Sequence, residues 1–250
     1  MYFKCRFGLL CVALATLIGC SQAVAPSGSS GGVYHSSLGT EWGERIDSRI
    51  SYVNFEREHE HTPDTAAAIH YDDRFGVKEL SGSRELKPRP FELHDTRVEF
   101  GLTDEESGWF GPAFLPGAET NGSYVVRGKR GDRYGVYVRN NTDERIEVVL
   151  SVDGLDVMNG RSASYSNRGY IIEPGEKLIV EGFRDSKNTV AAFRFAEPRD
   201  SYVSEKSGDT ANVGVVGLAV FSERGSRFAS PPGSFGRANP FPGEFAQAPR

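Results

Sequence analysis

Three side chains with oxygen ligands follow a strand-like segment near the middle of the chain. Asp153, Asp156 and Asn159 lie in VVLSVDGLDVMNGR, residues 148–161. Carboxylate and amide oxygens bind calcium, but the alternate spacing of an EF-hand loop and its closing Glu are missing here. Asp and Asn also accept hydrogen bonds from nearby backbone amides, and Gly154 permits a positive φ. The pattern therefore favours a turn over an ion site, with the three residues as candidate ligands.

A second candidate site is formed by histidines. The alternating segment 49–61 predicts a strand that ends in His-Glu-His. His59 and His61 would then share one face, a spacing that can present two imidazoles to a metal ion, with His70 or an acid after it as a third ligand. The alternative is a polar strand end with histidines at the rim of an apolar face. The sequence indicates one candidate cofactor, a metal ion at His59, His61 and His70, and predicts no other.

The distribution of histidine and cysteine limits the possible enzymes. The five histidines all precede residue 95 and the three cysteines all precede residue 21. The regular β-rich part cannot therefore build a Ser-His-Asp or Cys-His site from its own residues. Paired carboxylates can hydrolyse a glycosidic bond without histidine, but 34 acidic residues leave no pair marked by spacing. No catalytic residue is predicted.

The N-terminus carries a secretion signal. Lys4 and Arg6 precede an apolar run at 7–19 that is short for a membrane span and typical of a signal peptide. The run ends in LIGC, which resembles the lipobox of bacterial lipoproteins and implies cleavage before Cys20 and lipidation of its sulfur. An ordinary signal peptide with an incidental cysteine is the alternative. Because Asp does not follow Cys20, the lipoprotein resemblance favours the outer membrane of a diderm bacterium.

Composition assigns the rest of the chain to segments. Residues 1–19 are predicted to be the signal peptide, 20–33 a Gly/Ser-rich tether, 34–121 an irregular region with short strands and one short helix at 62–73, and 222–250 a disordered Pro/Gly tail. The tail contains four recurring phenylalanines, which are unusual for a spacer, but its composition favours a solvated tail over a partner-binding segment. Without Lys4 and Arg6 the charged residues number 27 basic and 34 acidic, and no basic block stands out. Nucleic-acid binding is not expected.

Residues 122–221 carry the clearest strand pattern. Short alternating segments separated by turn residues predict an all-β, antiparallel β-sandwich, jelly-roll-like or Ig-like. In RIEVVLSVD the pattern places Ile146, Val148, Leu150 and Val152 inward, and Glu147, Ser151 and Asp153 outward. NVGVVGLAVF, residues 212–221, is apolar on both faces, which indicates a buried central strand.

The same region resembles a family of uncharacterised bacterial exported proteins. The resemblance rests on VLSVDGLDV at 149–157, GYIIEPG at 169–175, GFRDS at 182–186 and NVGVVGLAVF at 212–221. It covers about residues 124–222, with Asp156 and Phe183 where the family pattern has Asn and Trp. It implies a domain boundary and no particular activity.

These features favour a membrane-anchored envelope lipoprotein that acts as a non-enzymatic binding, accessory or structural module. Its partners would be the membrane, through Cys20, and an envelope protein or glycan. The alternative is an envelope hydrolase, either metal-dependent through His59 and His61 or carboxylate-based on a glycan.

Overall fold

Two β-sheets pack face to face in a computed structural model of the chain. The structure describes residues 34–93, 97–107, 111–120, 123–207, 211–226 and 240–242. Cys20, the predicted signal peptide and the tether lie outside the described residues. The predicted all-β sandwich is confirmed.

The first sheet, sheet I, is antiparallel. Its strands are β1 (Gly39–Asp47), β4 (Phe91–Leu93), β5 (Val98–Asp104), β6 (Ala113–Phe114), β9 (Arg133–Asn140), β13 (Lys177–Val180), β14 (Gly182–Arg184) and β15 (Thr189–Ala196). They lie in the order β1-β15-β9-β5-β4, while β13 pairs with β9, β14 with β15, and β6 with β5.

The second sheet, sheet II, is mixed. Its strands are β2 (Thr65–Asp72), β3 (Lys87–Pro88), β7 (Pro116–Thr120), β8 (Ser123–Arg127), β10 (Ile146–Val152), β11 (Leu155–Asp156), β12 (Tyr170–Ile172) and β16 (Val215–Ser222). They lie in the order β11-β10-β16-β2-β8-β7-β3, with β12 paired to β10 and with β2 parallel to β8.

The helices are short and lie outside the sheets. Helix α1 spans Arg74–Ser81, a 3-10 turn spans Pro198–Asp200, and helix α2 spans Tyr202–Ser207. Asp73 caps α1, because its Oδ1 accepts hydrogen bonds from the backbone of Phe75 and Gly76 at 2.7 and 3.0 Å. None of the helices in the described residues is long and apolar enough to span a membrane.

The core between the sheets follows the alternation of the strands. The inward residues predicted for β10, Ile146, Val148, Leu150 and Val152, are all buried in it. Strand β16 lies between β10 and β2 and is buried along its whole length, as its two apolar faces predict.

Residues 34–121 contribute far more to the sandwich than an irregular region would. Strand β2 lies at the centre of sheet II, between β16 and β8, and β1 and β5 flank the middle of sheet I. Both sheets thus draw strands from either side of residue 121. Local pattern did not show this, because the pairing partners are remote in sequence.

The helix predicted at 62–73 was wrong. Residues 65–72 form β2, with Ala67, Ile69 and Tyr71 inward at period two, and the helix begins only after Asp73. Three consecutive alanines favour a helix locally, but pairing on both edges overrides that propensity.

The strand predicted at 49–61 is also absent: these residues contribute only an isolated bridge, Arg57 with Glu223.

The predicted disorder of 222–250 is wrong for the part that the structure describes. Ser222 ends β16, and the backbone N–H of Arg224 donates to the carbonyl of Glu56. Phe241 is only 1% exposed and packs against sheet II. Residues 227–239 and 243–250 lie outside the described residues.

Candidate functional site

A broad groove lies where sheet I splits. Strand β13 pairs with β9, but after Glu181 the chain bends and continues as β14, which pairs with β15. Strand β12, on the other side of the Pro174-Gly175 turn, belongs to sheet II. The strand-turn-strand unit at 169–182 therefore crosses between the sheets and leaves an opening, which we call the cleft.

The cleft has a volume of about 620 Å³. Apolar side chains from three directions line it: Leu178, Ile179 and Val180 from β13, Tyr170 and Ile171 from β12, and Ile50, Val53 and Phe55 from the segment that crosses it. A groove of this size with mostly apolar walls and a few polar groups is typical of a binding site.

Residues 48–55, which we call the strap, form one wall of the cleft without being a strand or helix. The Ser48 N–H donates to the carbonyl of Asn188 at 2.8 Å. Arg184 donates to the Ser48 carbonyl at 2.6 Å and to its hydroxyl at 3.0 Å. Beyond these ties Tyr52 is 74% exposed and Val53 56% exposed. The strap thus presents an open apolar surface at the rim.

A buried ion pair holds the far end of the strap. Arg57 Nε and Nη2 donate to the Glu147 carboxylate at 2.7 and 3.0 Å, with side chains only 4% and 2% exposed. Arg57 also donates to the carbonyls of Tyr165 and Asn167, and Glu147 accepts from the Gly169 N–H. Glu147 points outward from β10 as predicted, but the strap and the 165–169 loop bury it.

Cationic side chains line the cleft, although the chain has a net charge of −5. Arg49, Arg168 and Arg184 line it. None of the three has a carboxylate of the described residues within ion-pair distance, whereas Arg57 and Arg145 pair with acids. An acidic ligand group would therefore find cations whose charge is not already neutralised.

The turn residues have local roles. Asp153 and Gly154 form the two-residue turn between β10 and β11, with φ of 53° and 79°. Asp156 Oδ1 accepts from the backbone of Met158 and Asn159, and Asn159 Oδ1 accepts from Arg161. One oxygen of Asp156 and the amide oxygen of Asn159 thus accept from backbone N–H groups of the same turn, whereas Asp156 Oδ2 is buried without a hydrogen-bond partner in the described residues.

Asp153 points inward, contrary to the simple alternation of β10. Its carboxylate accepts hydrogen bonds from Tyr71 Oη at 2.6 Å, the Thr40 N–H at 2.8 Å and the Gly214 N–H at 2.9 Å. The Thr40 hydroxyl contacts both Tyr71 and Tyr134. Burial raises the pKa of Asp153 to about 6, with these hydrogen bonds acting in the opposite direction. The positive φ at Asp153 turns the carboxylate into the space between the sheets.

The candidate metal ligands are not arranged as a metal site. His59 and His61 are exposed in a bend, and His61 Nδ1 contacts the hydroxyl of Ser166 at 3.1 Å. His70 lies on β2, and burial lowers its pKa. The described part of the chain contains no group of three His, Cys, Asp or Glu side chains placed to bind a metal ion.

A carboxyl pair exists that spacing did not reveal. Glu181, between β13 and β14, has its pKa raised by burial and by the neighbouring Glu105 carboxyl. Glu105 also accepts from the Thr103 hydroxyl at 2.6 Å, and Arg133 lies 3.9 Å from Glu181. A neighbouring carboxyl disfavours the charged form of Glu181 in the same way as burial does.

Sequence reasoning missed the cleft residues Arg49, Arg168 and Arg184. Arg184 lies in the GFRDS segment at 182–186, which was a local signal, whereas Arg49 and Arg168 belong to no distinctive motif. No family model, no curated protein and no solved structure matches the chain, so the resemblance of residues 124–222 to exported bacterial proteins stays a prediction.

Proposed function

We propose that this protein is a lipid-anchored envelope module that binds an extended, acidic segment of a partner protein in the cleft. The observation that carries the proposal is the combination, in one groove of about 620 Å³, of an open strand edge, apolar walls and three arginines that pair with no carboxylate of the described residues.

The open edge belongs to β13. The Asn140 N–H donates to the Glu176 carbonyl, and the Gly175 N–H donates to the Asn140 carbonyl. Because backbone groups alternate in direction along an antiparallel strand, the N–H and C=O groups of Leu178 and Val180 then point toward β9. The N–H and C=O groups of Lys177 and Ile179 point to the opposite edge. Such groups are a template for another extended chain, whose backbone gives affinity while its side chains fill flanking pockets. Arg49, Arg168 and Arg184 would select acidic side chains.

The anchor is proposed at Cys20, on the strength of the LIGC motif after the apolar run. Expression of the full chain in a diderm bacterium with labelled palmitate tests it. Label should enter the wild-type protein and be lost from Cys20→Ala, which should remain in the membrane fraction only as uncleaved precursor. Equal labelling of both proteins would remove the anchor from the proposal.

Photo-crosslinking in the native envelope tests partner binding. A photoreactive phenylalanine at Tyr52 should give a discrete protein adduct, whose crosslinked peptide is acidic and is identified by mass spectrometry. The same group at Phe75, which is 65% exposed on α1, is the matched control and should give no such adduct. Adducts of equal yield at both positions, or a glycan adduct alone, would contradict the proposal.

A proline substitution distinguishes backbone pairing at the β13 edge from nonspecific apolar contact. Ile179→Pro removes an N–H that does not bond to β9, so the sheet should tolerate it while edge addition is blocked. We expect the Tyr52 adduct to fall at least fivefold with the melting temperature little changed. An unchanged adduct would exclude pairing at β13.

No observation on the described residues favours the hydrolase alternative.

A further inference from the structure

A second site lies on the opposite side of sheet II from the core. The outward residues of the central strands are small: Ala66 on β2, Gly217 and Ala219 on β16, and Val149 and Ser151 on β10. The register aligns them in two cross-strand rows, Val149-Ala219-Ala66 and Ser151-Gly217-Ala68. Small side chains in adjacent rows make a shallow depression on an otherwise regular sheet face.

Pro240, Phe241 and Pro242 fill this depression. Phe241 is 1% exposed and packs with Val149, Ala66, Ala163 and Ala219, and its ring centroid lies 4.8 Å from that of Tyr165. The Ser151 hydroxyl donates to the Pro240 carbonyl at 2.5 Å. We call this surface with its Tyr165 wall the Phe241 site.

Gly217 is required by the way the segment sits. A Cβ at Gly217 would collide with Pro240 Cβ, and it would lie 2.5 Å from Ser151 Oγ and 3.2 Å from Phe241 Cε2. Pro242 in turn lies 3.4 Å from the position of a Cβ on Gly154, at the β10–β11 turn. The depression thus matches a proline, an aromatic ring and a second proline in succession.

The contacts are those of peptide recognition rather than of a further strand. Pro240 and Pro242 have no N–H to donate to a sheet edge, and the segment lies over a sheet face. Proline also restricts the residue before it to extended conformations, so a Pro-Phe-Pro segment loses little conformational entropy on binding. The buried aromatic side chain supplies a large apolar contact, and the Ser151 hydrogen bond fixes the position of the adjacent backbone.

We propose that the Phe241 site is a binding site for proline-flanked aromatic peptides, which the chain's own Pro240–Pro242 segment occupies and which the same segment of a second copy can enter in its place. Thirteen residues, 227–239, connect this segment to residue 226, where the preceding described range ends. The peptide site shares no lining residue with the cleft, and the proposal does not depend on the function of the cleft.

Exchange can be measured with the full-length chain and a peptide of residues 237–244, RANPFPGE. Phe241→Ala should vacate the site and let the peptide bind, as measured by isothermal titration calorimetry. Wild-type protein should bind it at least tenfold more weakly, because a covalently joined segment competes at an effective concentration on the order of millimolar. The matched control Phe235→Ala should behave like wild type.

Two further variants test the chemistry of recognition. A peptide with Ala in place of its Phe should not bind the Phe241→Ala protein. Adding Gly217→Ala to Phe241→Ala should weaken peptide binding at least tenfold, since the new methyl group occupies the proline position. Equal binding of the two peptides, or no difference between the wild-type and Phe241→Ala proteins, would overturn the proposal.

A labelled wild-type chain covers the case in which Phe241→Ala does not fold. With a fluorine atom on Phe241, saturating RANPFPGE peptide should shift the fluorine resonance toward that of free peptide, and the Ala-substituted peptide should not. An unchanged resonance at saturating peptide would show that the segment does not exchange and would also overturn the proposal.

Discussion

At the residue scale, two neighbouring positions in the β10–β11 turn have different roles. Gly154 has a φ of 79°, and a side chain there would approach Asn212. Asp156 uses one carboxylate oxygen to accept from two backbone N–H groups, which an amide oxygen can do equally well. The backbone conformation at position 154 therefore requires glycine, whereas the hydrogen bonds at position 156 do not require a charged side chain.

We therefore expect Gly154→Val to lower the free energy of unfolding by about 2 kcal/mol or more, from the positive φ alone. Asp156→Asn should cost less than about 1 kcal/mol. Urea denaturation of the two variants beside the parent measures both. Equal stability of Gly154→Val and the parent would contradict the turn geometry.

The buried carboxyl of Asp153 predicts a pH dependence. Because its folded-state pKa of about 6 exceeds the ordinary 3.8, the folded protein retains a proton that the unfolded chain has lost between these values. Its contribution to stability is fully present below about pH 4 and is lost as the pH rises through about 6. The loss amounts to at most about 3 kcal/mol.

Asp153→Asn removes this titration and also one of the acceptors for Thr40, Tyr71 and Gly214. The variant should be less stable than the parent at pH 4, and the difference in unfolding free energy should shrink as the pH rises to 7. Denaturation curves of both proteins at pH 4, 5, 6 and 7 provide the measurement. A difference that is constant with pH would show that Asp153 does not titrate in this range.

At the scale of elements, the strap depends on one buried ion pair. The Arg57 guanidinium lies 3.7 Å from the centroid of the Phe221 ring and donates to two carbonyls of the 165–169 loop as well as to Glu147. Removing either charge leaves the other buried without its partner, which costs more than the pair itself contributes.

Arg57→Met and Glu147→Gln should each destabilise by about 3–5 kcal/mol, whereas the double variant should lose clearly less than the sum. Arg224→Met is the matched control, because the Arg224–Glu56 pair is exposed and should contribute under about 1 kcal/mol. A double-mutant cycle from thermal or urea unfolding gives the coupling energy. Additive losses would mean that the two side chains do not interact.

At the scale of the molecule, each sheet of the sandwich combines strands from both sides of residue 121. Strand β2 supplies the neighbour of β16 and the parallel partner of β8. Without residues 34–121 the apolar edge of β16 would be unpaired and sheet I would lose β1, β4, β5 and β6.

A fragment of residues 122–226 should consequently show no cooperative thermal transition, while a chain that begins at residue 34 should unfold in one step. Circular dichroism and calorimetry of the two purified proteins compare them. Cooperative unfolding of the shorter fragment would restore the domain boundary that the strand pattern near residue 122 predicts.

The sequence predicted more of the fold than of the cleft. The inward faces of β10 and β16 and the Asp153-Gly154 turn follow from alternation and turn chemistry, which are local. None of the three cleft arginines carries such a signal, because each reaches the cleft from a different part of the chain. Arg57 and Glu147 are 90 residues apart, so their burial together could not be deduced from either segment.

The sequence by itself determined that this is an all-β chain with a buried apolar strand within 212–221 and a glycine turn at 154, because side-chain period and backbone sterics act within a few residues. Only the tertiary structure decided that the alanine run at 66–68 is a strand, that Glu147 and Asp153 are buried, and that Phe241 is bound on sheet II. The physical reason is that burial of a face depends on which remote segment covers it, and that segment is chosen by long-range packing.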